Sequence, residues 1–202
     1  MHRILPRWSA VSTACLYTLT VRLLPYALRS VGVDIDPTLM TWPWNFSPAL
    51  ALCLYGGATL PSRTASLVTP LGIYLASDLG IWALTQRIDW AFYPAQWAVY
   101  LALVLTAVGG WMLRSNHRWL RVLSAAILAP WGFFLLTNFA CWVGNENYSQ
   151  TPAGLLACYA AGLLHQRNLI VATVVFSGIL FSPLGVREAG ASLPRQPLPE
   201  TA

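Results

Sequence analysis

The chain alternates long apolar runs with short polar or proline-bearing joints. A helix needs about 20 mostly apolar residues to cross the roughly 30 Å hydrocarbon core of a bilayer. Residues 8–28, 65–85, 92–113, 120–142 and 168–186 form runs near that length, and residues 45–60 form a shorter one. These six segments are the expected spans. Residues 152–164 are apolar and helix-compatible but too short to cross comfortably. They are expected to form a short re-entrant or interfacial helix, with a seventh span as the alternative, closed by a polar break at His165, Gln166, Arg167 and Asn168. Such a break can line a site, but a simple outer loop is the expected reading. The fold class is therefore all-α, a polytopic membrane helical bundle. Residues 1–186 make the membrane-embedded domain. Residues 187–202, with Pro194, Pro197 and Pro199, make a disordered tail. Residues 29–44, with Asp34, Asp36 and Pro37, are a polar connection.

Composition agrees with lipid as the solvent. Of the 202 residues, 56% are hydrophobic and 9% charged. A water-soluble domain carries about 25% charged residues to keep its surface wet. The twelve basic residues are all Arg and give a formal net charge of +5 against seven acidic residues. They stand at the ends of apolar runs and not in one patch, which argues against nucleic acid as a partner and for headgroup contact. With six spans, eight arginines fall on the side of the N-terminus and three on the other; with seven, the division is seven against four. The first division obeys the positive-inside rule better and places both termini in the cytoplasm. Trp8, Trp42, Trp44, Trp82, Trp90, Trp111, Trp119 and Trp142 fall near span ends, where an indole ring can be half in lipid and half in water. Trp97 and Trp131 fall within spans.

Small residues mark where helices can approach closely. The pairs Gly56-Gly57 and Gly109-Gly110 and the four-residue series Ala153, Ala157, Ala161 are candidates for internal packing, with a dimer seam as the alternative. Cys15, Cys53, Cys141 and Cys158 all lie in apolar stretches without CxxC or Cys/His spacing. They read as small packing residues, with no disulfide or metal site expected.

Few residues can carry chemistry. Asp78, in Leu75-Ala76-Ser77-Asp78-Leu79-Gly80, lies toward the end of a span. A carboxylate in hydrocarbon needs a partner, a wet cavity or a proton. It can bind substrate, cation or proton, or, near the headgroups, it can pair with a basic residue or cap the following turn. Arg22 is a second intramembrane charge, which either extends its stem to the interface or pairs with Asp78 or a ligand anion. Asn45-Phe46-Ser47-Pro48 opens the short span, with Ser47 as a helix cap and Pro48 in the first turn; a helix start facing a cavity also attracts anions. Asn138 must hydrogen-bond to a neighbouring helix or to a ligand. Asp78, Asn138, Asn45, Ser47 and Arg22 are the candidate ligand-binding residues. No Ser/His/Asp pattern, HExxH or glycine-rich phosphate loop is present, so no catalytic residue, metal site or cofactor is expected.

The run Trp44-Asn45-Phe46-Ser47-Pro48-Ala49-Leu50-Ala51-Leu52-Cys53-Leu54-Tyr55-Gly56-Gly57-Ala58 resembles a bacterial membrane family of unknown function with an NF(S/T)P…FGGA signature. Pro70-Leu71, Ser77-Asp78, Thr137-Asn138-Phe139, the stretch from Ala153 to Ala161, and Arg167-Asn168 fit its further motifs. One departure is Ala172-Thr173, where that family tends to carry Gly-Asp. The family is similar in organisation to the substrate-binding S components of energy-coupling-factor vitamin transporters. That resemblance implies a six-helix membrane protein that holds a small-molecule ligand near the outer face and works with an energising ATPase partner. Two other functions compete with it. One is a non-transporting membrane scaffold or assembly partner, whose polar residues only bridge helices. The other is an intramembrane enzyme, which would need a second titratable group beside Asp78.

Overall fold

The structure, a computed structural model, describes residues 4–33 and 46–188. Its elements are β1 (Ile4–Pro6), α1 (Trp8–Ser30), α2 (Ala49–Thr59), α3 (Arg63–Thr85), α4 (Ile88–Ala91), α5 (Gln96–Trp111), α6 (Trp119–Trp142), α7 (Pro152–Leu180) and β2 (Val186–Glu188). This is an all-α bundle with one small strand pair. Five helical stretches among the described residues are long and apolar enough to cross a membrane, with α4 and α5 counted as one. Leu16, Leu105, Leu128 and Leu156 are each more than half exposed on the outside of the bundle. Side chains of that size are unfavourable in water and at home against acyl chains. The chain is a membrane protein.

The sixth helix, α2, is the hub. At about 16 Å it covers only half of a bilayer core. All of its residues from Leu50 to Thr59 are buried. It packs against α1, α3, α5, α6 and α7. The approach to α5 is closest where Gly57 faces Gly110. A Cβ on Gly57 would collide with the Ala107 carbonyl, and one on Gly110 with the Leu54 carbonyl. Gly56 has ordinary clearance and Gly109 has open space. One glycine of each predicted pair therefore makes the contact. Arg114 closes the far end of α2: its Nε donates to the Gly57 carbonyl at 2.7 Å and its Nη2 to the Leu60 carbonyl at 3.1 Å. Terminal helix carbonyls have no partner within the helix, and a cation there also complements the dipole.

The chain ends of the bundle meet. β1 and β2 pair antiparallel, with Leu5 opposite Arg187. Arg7 N donates to the Gly185 carbonyl at 2.8 Å. The Tyr55 hydroxyl, from α2, donates to the same carbonyl at 2.6 Å. This ribbon and the end of α2 define one side of the bundle, the ribbon side. Six helical passes return the chain to it.

Local signals explain several boundaries. Ser62 caps α3 by accepting from Ala65 N at 2.9 Å. Gln86 ends α3 in the left-handed region at φ 55°. Thr151 caps α7, with Pro152 at its first position. Trp8, Trp111, Trp119 and Trp142 are terminal residues of their helices, and Trp97 is the second residue of α5. Trp42 and Trp44 lie outside the described residues.

Three expectations are corrected. Residues 152–164 are not a separate re-entrant or interfacial helix, and residues 165–168 are neither a break nor an outer loop. Both belong to the continuous 29-residue helix α7. No Gly or Pro stands between Leu163 and Ile179 except Gly178, so nothing there interrupts an internally hydrogen-bonded backbone. At about 43 Å, α7 must tilt or protrude from a 30 Å core. Second, Ala153, Ala157 and Ala161 are exposed. The small residues that let α7 meet α6 stand one position later, at Cys158 and Gly162, while Gly154 makes room for Ser149 of the preceding connection. Third, Cys141 is exposed, not buried, while Cys53 and Cys158 are buried. Arg187 and Glu188 are in β2; residues 189–202, which hold most of the proline-bearing tail, lie outside the described residues.

Candidate functional site

Arg22 and Asp78 meet between α1 and α3. Arg22 is fourteen residues beyond the start of α1 and Asp78 fifteen beyond the start of α3, so both lie about 21–22 Å from the ribbon side. Two parallel helices rising from one side bring the residues level. Arg22 Nη2 donates to Asp78 Oδ1 at 2.5 Å. Arg22 Nε donates to Ser77 Oγ at 2.6 Å, and the Ser77 hydroxyl in turn donates to the Tyr74 carbonyl at 2.6 Å. The guanidinium carbon stands 3.6 Å from the centroid of the Tyr74 ring. A cation over an aromatic face gains from the ring quadrupole, most where water is excluded.

The other carboxylate oxygen is also engaged. Asp78 Oδ2 accepts from Gln96 Nε2 at 2.6 Å and from the Tyr100 hydroxyl at 2.7 Å. Both donors come from α5, one turn apart. Asp78 is 1% exposed. Its charge is compensated by one cation and three hydrogen bonds, which is what a carboxylate in hydrocarbon requires. Asp78 pairs with a basic residue and Arg22 with an acidic one: the pair partners itself.

Arg22 is the link from this network to a cavity of about 290 Å3. The cavity lies between α1, α2, α3, α5, α6 and α7, at the N-terminal end of α2. Its polar rim includes Arg22, Ser47, Thr137, Asn138, His165 and Gln166. Its apolar wall includes Leu50, Leu103, Phe133 and Leu169. Ser47 Oγ accepts from Ala49 N at 3.3 Å. The cap position itself is taken by Pro48, so Ser47 serves the helix start from one residue further out than expected. Asn138 Nδ2 donates to the Phe134 carbonyl of its own helix at 2.9 Å. Its Oδ1 sits where a Cβ on Gly162 would be, so Gly162 is what admits Asn138 to the α6–α7 seam.

Gln166 is the least satisfied group in the cavity wall. It is 4% exposed, and its Nε2 has no hydrogen-bond partner. By contrast, Thr18, Thr59, Thr106, Thr137 and Thr173 each donate back to a carbonyl one turn earlier. These threonine hydroxyls are therefore self-satisfied, while the buried amide facing the cavity is not. An unmet buried donor costs about 1–3 kcal/mol, so it marks a position where a partner would be bound.

Of the five predicted site residues, Arg22, Ser47 and Asn138 line one cavity, and Asp78 holds Arg22 from behind. Asn45 lies outside the described residues. Sequence reasoning passed over Tyr74, Gln96 and Tyr100, and it named Gln166 only as part of a polar break. The signals were present: Tyr74 stands one turn before Asp78, and Gln96 and Tyr100 stand one turn apart. A second cavity, about 970 Å3 and mostly apolar, opens between α5 and α6 from Met112 and Arg121 to Phe139. Among the described residues, no cluster of three His, Cys, Asp or Glu side chains is placed to hold a metal ion.

Compared with known families, residues 2–192 match the model of a family described as being of unknown function. No curated protein and no solved structure matches the chain.

Proposed function

Since the chain belongs to that family, DUF6580, whose description names no activity, we propose from the site alone that it is a membrane-embedded small-molecule binding subunit. In this reading it resembles the S component of an energy-coupling-factor transporter, sits in a bacterial inner membrane, binds without catalysis and is energised by an ATPase partner. The supporting observation is a half-length, fully buried helix, α2, that starts at a polar-rimmed cavity within the bundle. Membrane transporters commonly place such half-helix starts at a midplane binding site. A helix that served packing alone would have no reason to stop there with a buried, unpartnered amide opposite it.

The test is ligand-dependent thermal stabilisation of the purified protein across a library of vitamins and other small metabolites, with Leu169→Trp as the control. Leu169 is in the cavity wall, and indole would occupy the space. The proposal expects a saturable rise in Tm for some compound in the native chain and none in the filled variant. A flat response to the whole library, or an equal response in the filled variant, would remove it. The scaffold alternative draws on the broad apolar groove between α5 and α6. It expects a stoichiometric protein partner in gentle detergent and no small-molecule response.

A further inference from the structure

The donor set of the cavity specifies the charge of its ligand, provided that the cavity is the binding site of the proposed subunit. We infer that the cavity takes a small organic acid, with its carboxylate at Arg22, Gln166 and the first turn of α2 and its apolar body against Leu103, Phe133 and Leu169.

Four observations converge on that class. First, Arg22 and Gln166 bring N–H groups to the wall, and neither Asp nor Glu is among the lining residues. Asp78 is behind Arg22, with both oxygens already bonded. A cation in the cavity would meet a guanidinium and find no carboxylate to pair with. Second, Ala49 and Leu50, the first two residues of α2, line the cavity. The start of an eleven-residue helix carries roughly half a positive charge and presents N–H groups without partners in the helix. Third, Gln166 Nε2 is buried and unpartnered, and so supplies a neutral donor with nothing to donate to. Fourth, Arg22 is locked before any ligand arrives. Nε and Nη2 are committed to Ser77 and Asp78, and the ring of Tyr74 covers one face of the guanidinium plane. Nη1 takes part in neither of those two bonds. A preorganised donor costs little entropy when it binds.

Size narrows the class. The cavity's 290 Å3 is about ten times the ~30 Å3 that a water molecule occupies in the liquid. It admits an acid of about ten non-hydrogen atoms and excludes a whole phospholipid.

The experiment compares acids with their uncharged amides at constant pH and ionic strength. The probes are butyrate against butyramide, benzoate against benzamide, and nicotinate against nicotinamide. Phosphatidylglycerol and sodium chloride are added as separate arms. Tm of the full chain in non-ionic detergent is the readout, and titration gives Kd. At least one acid is expected to stabilise the protein saturably while its amide binds at least tenfold more weakly. Gln166→Glu, which keeps the shape and adds a like charge, is expected to raise Kd for that acid at least tenfold. Gln166→Leu, with no donor at all, is expected to weaken binding less. Equal stabilisation by acid and amide would overturn the acid assignment and leave the binding subunit intact. Stabilisation by phosphatidylglycerol alone would reassign the donors to a lipid headgroup and overturn it too. No response to any probe would overturn the assignment for these acids, and the wider metabolite library would then decide the parent reading separately. An unchanged Kd in Gln166→Glu would remove Gln166 from the site and overturn the proposed donor set.

Discussion

Arg22 and Asp78 are fifty-six positions apart in the chain and 2.5 Å apart in space, at matching depth on two parallel helices. Neither charge has a second ionic partner among the described residues. Each therefore makes the other tolerable in an apolar bundle, and this interdependence has a measurable signature. Asp78→Asn leaves a buried guanidinium without its counter-charge, and Arg22→Gln does the reverse. Each single change is expected to cost about 3–5 kcal/mol, the usual penalty for breaking a buried pair from one side. The double variant Arg22→Gln/Asp78→Asn, neutral and still able to hydrogen-bond, is expected to be more stable than the sum of the two losses by about 1–3 kcal/mol. Denaturation of the three variants in one detergent measures the coupling. Strict additivity would show that the pair is not a unit.

The contact between α2 and α5 predicts a sharp contrast between neighbouring glycines. Gly57→Ala and Gly110→Ala each drive a methyl into a backbone carbonyl of the facing helix, which cannot move aside as a flexible side chain can. Both are expected to lose at least about 1–3 kcal/mol, the range for overpacking. Gly109→Ala meets open space and replaces a poor helix former, so it should be neutral or stabilising by up to about 1 kcal/mol. Tm and monodispersity on gel filtration separate the three. Equal effects at positions 109 and 110 would contradict this packing.

The two glycine pairs also show what could be read from sequence. Length and hydropathy were enough for the bundle, because a spanning helix is a one-dimensional property of the chain. The paired glycines were legible as close contacts, but which glycine of each pair faces the neighbour depends on helix rotation. For the same reason the seam of α7 with α6 falls at Cys158 and Gly162 and not at the alanines one position earlier. The polar residues 165–168 were misread because a break and a cavity-lining face look alike in composition. Gln166 is buried while Arg167 beside it is exposed, a difference that only the helix phase decides. Asp78 and Arg22 stood out as charges in apolar runs, but their matching depth required the relative placement of α1 and α3.

Arg114 gives a prediction about the end of α2. Its guanidinium spans the Gly57 and Leu60 carbonyls from a single position. Arg114→Ala removes both bonds and is expected to cost about 2–4 kcal/mol, since a hydrogen bond to a charged group is worth about 1.5–3 kcal/mol and the two share one donor group. Arg114→Lys keeps the charge but not the fork, so it should recover less than half of the loss. Full rescue by lysine, read as Tm, would show that charge at the helix end is what matters and that the two-carbonyl geometry is incidental.

The strand pair and the arginines together predict which way the protein faces. Pairing of Leu5 with Arg187 fixes both ends of the described bundle on one side. Arg7 bonds to the Val186 carbonyl there, and Arg114 closes the end of α2 that Tyr55 ties to Gly185. Arg118 and Arg121 follow in the adjoining connection and the first turn of α6. The opposite side holds Arg29, which lies over Trp90, and Arg87, which pairs with exposed Asp89. An arginine-rich side is held in the cytoplasm during insertion, so the ribbon side should face inward and the cavity at the start of α2 should lie nearer the outer face. Ser115, exposed between α5 and α6, and Glu146, exposed between α6 and α7, report the two sides. Single cysteines are placed at these positions in a background lacking Cys15, Cys53, Cys141 and Cys158. A membrane-impermeant maleimide on intact bacterial spheroplasts is expected to label Glu146→Cys and to reach Ser115→Cys only after permeabilisation. The reverse pattern would turn the bundle over, leaving the cavity intact but opening it to the cytoplasm, where an inward-acting binding subunit could not collect its ligand.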